Sequence, residues 1–131
     1  MTSGAPRSRE DDEIWSHVVR CAEAALEKKG SDLVILDVRD ITSLADYFLL
    51  VSGRSDTQVR AIAEAIDESG RASGKRPISV EGTRGGQWVL IDYGDVVVHV
   101  FYGPVREHYD LERLWNKAQR CPLPELAATS R

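Results

Sequence analysis

The stretch Q-W-V-L-I-D-Y-G-D-V-V-V-H-V-F-Y, residues 87–102, constrains the fold of this chain more than any other. Two apolar runs flank Tyr93-Gly94, a glycine-bearing pair of the kind that closes a two-residue β-hairpin, with Gly94 supplying a positive φ. A tight hairpin commits both runs to neighbouring antiparallel strands, so a sheet must form around them. A turn centred on Tyr93-Gly94 sets Trp88 opposite His99, Leu90 opposite Val97 and Asp92 opposite Asp95. Strand alternation then separates the side chains. Val89, Ile91, Val96, Val98 and Val100 share an aliphatic face fit for a core, while Trp88, Leu90, Val97, His99 and Phe101 share the other. His99 therefore lies beside a tryptophan on an aromatic surface. Three roles suit it: a partly buried imidazole bonded to a neighbour, a ligand or proton carrier, or part of a contact face for another protein, where aromatic residues are enriched.

The rest of the chain supplies partners for that hairpin. Residues 1–12 are polar, contain Gly4 and Pro6, and read as a frayed tail. A helix is expected over 13–28, with Trp15, Val19, Ala22 and Leu26 on one stripe and Ile14, Val18, Cys21 and Ala25 on the next. Lys28 and Lys29 suit its C-terminal end and Gly30 can stop it. Strands are expected at 33–38 and 46–52. Ser55-Asp56-Thr57-Gln58 is an S-x-x-Q capping box opening a helix over 56–72, whose apolar face is Val59, Ile62, Ala63 and Ile66. A short strand, 78–81, precedes the hairpin. Gly103-Pro104 ends the hairpin, and Leu111, Leu114, Trp115 and Ala118 fall at helical spacing behind Asp110 as N-cap. The order α-β-β-α-β-β-β-α implies a single α/β domain over 13–118, with a mixed sheet of about five strands flanked by helices. Residues 119–131, with Pro122 and Pro124, read as a loose tail.

Length and charge narrow the function. At 131 residues the chain is long enough for a real core. A net charge of −4 argues against broad binding to nucleic-acid phosphates and for little or no direct sequence-specific nucleic-acid contact. A basic protein partner fits such a charge better. No apolar run approaches the roughly 20 residues that cross a bilayer, and the N-terminus has no secretory h-region, so no membrane role is expected. Cys21 and Cys121 lie outside any C-x-x-C spacing, which suits a reducing, cytoplasmic setting.

Catalytic leads are thin. Strand 46–52 followed by Ser52-Gly53-Arg54-Ser55 and a capped helix could hold an anion on helix N–H groups, and resembles the glycine-serine start of nucleotidyltransferase sites. Those sites also need paired carboxylates for magnesium. The next strand offers only Glu81. Asp92 and Asp95 lie at a turn, where solvated turn roles suit them. His17 and Cys21 are four apart on a helix, but Cys21 also fits the apolar stripe. No G-x-S-x-G elbow marks a nucleophile.

The blocks D-I-T-S-L-A-D-Y-F-L-L-V-S-G-R-S-D-T-Q-V (40–59), V-E-G (80–82), W-V-L-I-D-Y-G-D-V-V-V-H-V-F (88–101) and R-E-H-Y-D-L-E-R-L-W (106–115) resemble, in order, those of the ribosomal silencing factor family, also called Iojap-related. The likeness covers residues 14–116 or so. It implies a nucleotidyltransferase-like topology without the catalytic carboxylates, and a protein that is not an enzyme and needs no cofactor. It implies binding to the large ribosomal subunit through ribosomal protein uL14, on the face where the small subunit docks. Joining is thereby blocked and translation lowered, with a further link to large-subunit assembly. Matching motifs assign contact or contact-supporting roles to Trp88, Val89, Leu90, Asp92, Asp95, His99 and Tyr109. Pairing of two copies stays open. The family pattern does not extend to 1–12 or 117–131.

The residues themselves agree with such a partner. Between Gly86 and Asn116 there are five acidic residues (Asp92, Asp95, Glu107, Asp110, Glu112) and two basic ones (Arg106, Arg113), a net of 2 − 5 = −3. Aromatics supply contact area and carboxylates supply steering toward a basic surface. Two other classes compete: a divergent nucleotide-binding enzyme using Ser55 or Glu81, and an assembly scaffold that binds large subunits without inhibiting them.

Overall fold

A computed structural model describes residues 13–123; the segments 1–12 and 124–131, expected as tails, lie outside the described residues. In chain order come α1 (Glu13–Glu27), β1 (Ser31–Asp37), β2 (Tyr47–Gly53), α2 (Asp56–Ala72), β3 (Ser79–Glu81), β4 (Trp88–Asp92), β5 (Val96–Tyr102), α3 (Gly103–Tyr109), α4 (Leu111–Leu114) and β6 (Gln119–Arg120). The strands form one mixed sheet in the order β3-β4-β5-β2-β1-β6. Only β2 and β5 run parallel, joined by the crossover that contains α2. β2 is central and every residue in it is buried, which is why Y-F-L-L-V-S-G lacks polar alternation.

Two apolar layers sandwich the sheet. On one face, Val18, Cys21 and Ala25 of α1 and Val59, Ile62 and Ile66 of α2 pack onto Leu49, Val51, Val89, Ile91, Val96, Val98 and Val100. On the other, Val105, Leu111 and Trp115 pack onto Leu36, Phe48, Leu50 and Phe101. The alternation along the hairpin therefore sorts its two faces as expected. Half of the capping box forms, with Ser55 Oγ accepting the Gln58 N–H at 3.1 Å, while the return bond goes to the residue before the cap. The Gln58 side chain reaches back to the Arg54 N–H at 2.6 Å and donates to the carbonyls of Lys28 and Lys29, tying α2 to the end of α1.

Four features differ from the expectation. The hairpin pairs Trp88 with Phe101 and Leu90 with His99, each partner two residues further on. Its turn is Gly94-Asp95, closed by Tyr93 N–H on the Val96 carbonyl at 2.9 Å. Gly94 has φ +92° and Asp95 does not enter the left-handed region, the single positive φ that a type II′ turn requires at its first central residue. Asp92 Oδ1 holds the turn by accepting the Gly94 N–H at 2.8 Å. A shift of two leaves each side chain on its face.

Next, Pro104 does not merely end β5 but opens a helix, α3, which the apolar spacing does not reveal. Asp110 follows as a left-handed break (φ +49°) between α3 and α4, and its side chain caps nothing. Finally, the sheet has six strands, because residues 119–120, placed by sequence in a loose tail, pair with β1. Cys121 continues that pairing through its N–H to the Ile35 carbonyl and is buried.

Candidate docking surface

The second face of the hairpin carries a graded stack of rings. Trp88 is half-buried at the start of β4, and its Nε1–H donates to His99 Nδ1 at 3.1 Å. That bond needs a neutral imidazole with its proton on Nε2. Burial supplies the condition, pushing the His99 pKa down from its ordinary 6.5 to about 4. His99 stacks on Phe101 (ring centroids 5.8 Å apart) and meets Phe48 edge-on at 5.6 Å, and Phe48 meets Trp115 edge-on at 5.0 Å. Outward, Tyr109 lies 4.9 Å from Trp88 and is 53% exposed. The stack thus runs from a fully buried phenylalanine to an exposed tyrosine, with an internally bonded tryptophan as the step between. Trp88, Leu90 and Tyr109 present apolar area to solvent, and His99 supports Trp88 from beneath.

The other expected site residues separate. Val89 is fully buried on the opposite face, against α1 and α2, and offers no atom to a partner. Its parity along β4 decides this, since it neighbours Trp88 in sequence but not in direction. Asp92 is engaged in the turn through Gly94. The Asp95 backbone carbonyl accepts from Asp46 and Tyr47, at 2.7 and 3.1 Å, locking the turn to β2. Both carboxylates sit at the hairpin tip, four to seven residues from Trp88 along the chain. Nearer Tyr109, the carboxylates of Glu107 and Asp110 are exposed and have no ion-pair partner among the described residues.

Behind α3 lies a cleft of about 640 Å³, lined by Asp32, Ser52, Gly103, Arg106, Asp110, Glu112 and Arg120 among others. It opens at the carboxyl ends of β2 and β5, where the chain leaves one strand for α2 on one face and the other for α3 on the opposite face. Arg106 and Ser52 are buried there; the sequence marked Ser52 only as part of the Ser52–Ser55 anion lead and Arg106 only by its charge. Ser55, nearer α2, is committed to its cap. Glu81 is exposed on the edge strand β3. His17 and Cys21 are both buried, the latter with its thiol pKa raised to about 12 by desolvation. Among the described residues no group of three His, Cys, Asp or Glu side chains is placed to share a metal ion. No helix among them is long and apolar enough to cross a membrane.

Residues 11–131 match the family model described as "Ribosomal silencing factor during starvation". The chain belongs to the ribosomal silencing factor family. A ribosomal silencing factor of Bacillus subtilis (strain 168) is 43% identical over 110 residues, covering 83% of this chain and 91% of the relative. One from Chromobacterium violaceum is 41% identical over 93 residues, covering 71% and 76% respectively. A chloroplastic Iojap protein of Zea mays is 32% identical over 128 residues, 94% of this chain and 56% of that longer protein. Among solved structures, a Chromobacterium violaceum protein matches with a TM-score of 0.79 at 36% identity, covering 90% of this chain and 98% of that one. The silencing-factor fold therefore extends across the described sheet and helices, and the protein is one of translation regulation.

Proposed function

We propose that this protein binds the large ribosomal subunit through ribosomal protein uL14, using the face built by Trp88, Leu90 and Tyr109 with His99 as support, and so blocks docking of the small subunit. The observation that carries the reading is the exposed Tyr109 ring resting on a half-buried Trp88. The exposed carboxylates of Glu107 and Asp110, near Tyr109 in the chain, line the neighbouring cleft and have no ion-pair partner among the described residues. Anchoring aromatics on an acidic segment suit a basic protein surface: the rings supply affinity and the carboxylates raise the encounter rate. Asp92 and Asp95 add negative charge at the hairpin tip. Direct contacts to RNA are secondary, no cofactor or catalytic step takes part, and the place of action is the cytoplasm.

The mechanism is competition for area. A silencer bound at a concentration 100 times its Kd adds about 2.7 kcal/mol to the free energy of subunit joining, close to a hundredfold. Mixing separated subunits in a light-scattering assay tests this directly. Pre-incubation of large subunits with the protein should lower both rate and extent of joining, and added small subunits should not restore it quickly. Binding without any effect on joining would favour an assembly role over silencing.

A further inference from the structure

Arg106 is the only permanently charged side chain that is buried among the described residues. A guanidinium cannot shed its charge, so its burial is unfavourable unless its donors are met. Three of its five N–H donors are met, from three separate elements. Nη1 donates to the Asp32 carbonyl at 2.6 Å, at the head of β1, and to Ser52 Oγ at 2.9 Å, at the end of β2. Nε donates to the Glu112 carboxylate of α4 at 3.2 Å, and Glu112 also accepts from Arg120 at 3.3 Å.

Arg106 stands three residues before Tyr109 on α3, which has seven residues and ends at the left-handed Asp110. A helix so short does not hold itself, and its aim comes from tertiary contacts. The apolar contacts of Val105 and Leu111 keep α3 on the sheet but are non-directional. The guanidinium fork is directional.

We infer that Arg106 is the positioning residue of the docking face: its three-way clamp holds α3 at the angle that lays Tyr109 on Trp88. The consequence for ribosome binding rests on the function proposed above, whereas the geometric content does not. The test uses the full chain in two variants. Arg106→Lys keeps the charge but loses the fork. Ser52→Ala removes one partner with little change in volume, and decides the matter should Arg106→Lys fail to fold.

Two quantities are read. One is the Trp88 indole N–H resonance by nitrogen-edited NMR, assigned by its loss in Trp88→Phe. The other is affinity for isolated large subunits. The expected result is a displaced Trp88 resonance, an unmoved Trp15 resonance in the opposite layer, and affinity lower by about tenfold as the face loses its pre-organisation. A simple packing defect would not single out Trp88, and lysine should not rescue. An unmoved Trp88 resonance in folded variants overturns the inference, whatever the affinity does. A displaced resonance with wild-type affinity upholds the clamp and removes the docking role from this face.

Discussion

His99 interrupts a run of valines because Trp88 needs an acceptor at depth. The indole N–H is satisfied by Nδ1, and the imidazole is held neutral by burial. Its folded pKa, about 4, lies below the ordinary 6.5. The unfolded chain therefore binds the extra proton first, and folding stability, full above about pH 7, falls as pH drops through 6.5 toward 4. His17 adds to the same window: desolvation first, then Lys75 and Arg20, lower its pKa to about 4 against an opposing pull from Asp95. His99→Gln separates the two, since the amide oxygen can accept the indole proton and does not titrate. Urea unfolding at pH 7 and pH 5 should show the wild type losing roughly 1–2 kcal/mol more than His99→Gln. Equal losses would remove His99 from the acid response.

At the scale of elements, β4 is set in place by the glycine before it. A Cβ on Gly82 would lie 2.0 Å from the Trp88 carbonyl oxygen, and its φ is +86°. Gly74 has a similar φ, +82°, but nothing within 4 Å. Gly74→Ala thus reports backbone strain alone, about 1–2 kcal/mol, while Gly82→Ala must also push the strand that bears Trp88. Denaturant unfolding should show Gly82→Ala costing clearly more than Gly74→Ala. Equal costs would mean that β4 yields freely at this point.

What was legible follows from how local each cause is. The S-x-x-Q box, the unbroken apolar run of β2 and the period-two alternation of the hairpin are local patterns, and those elements and faces could be read directly. The hairpin's partners could not, because one glycine serves either of two adjacent turns and Asp92 helps choose between them. α3 was hidden because Gly103-Pro104 both stops a strand and starts a helix. β6 was hidden because Gln119-Arg120 has no apolar residue to betray it. Within the candidate site, Trp88, His99 and Tyr109 come together, while Val89 belongs to the core by its own parity. The clamp at Arg106 left no trace, since two of its partners are 54 and 74 residues away in sequence.

Across the whole molecule the two sheet faces differ in cover. α1 and α2 shield one face with long amphipathic helices of 15 and 17 residues. The other is covered by the short pair α3 and α4, of seven and four residues, and at its margin Trp88 and Tyr109 reach solvent. An aromatic step at the edge of the thinner layer is where a partner can add the missing cover. Tyr109→Ala probes it with least risk to the fold, because that ring is largely exposed. The decisive measurement is co-sedimentation with separated ribosomal subunits, with circular dichroism confirming the fold of the variant. Wild-type protein should travel with the large subunit, and Tyr109→Ala should bind it at least about tenfold more weakly, as loss of an interface aromatic anchor does. Undiminished binding by Tyr109→Ala, or wild-type protein travelling with the small subunit, would contradict the account.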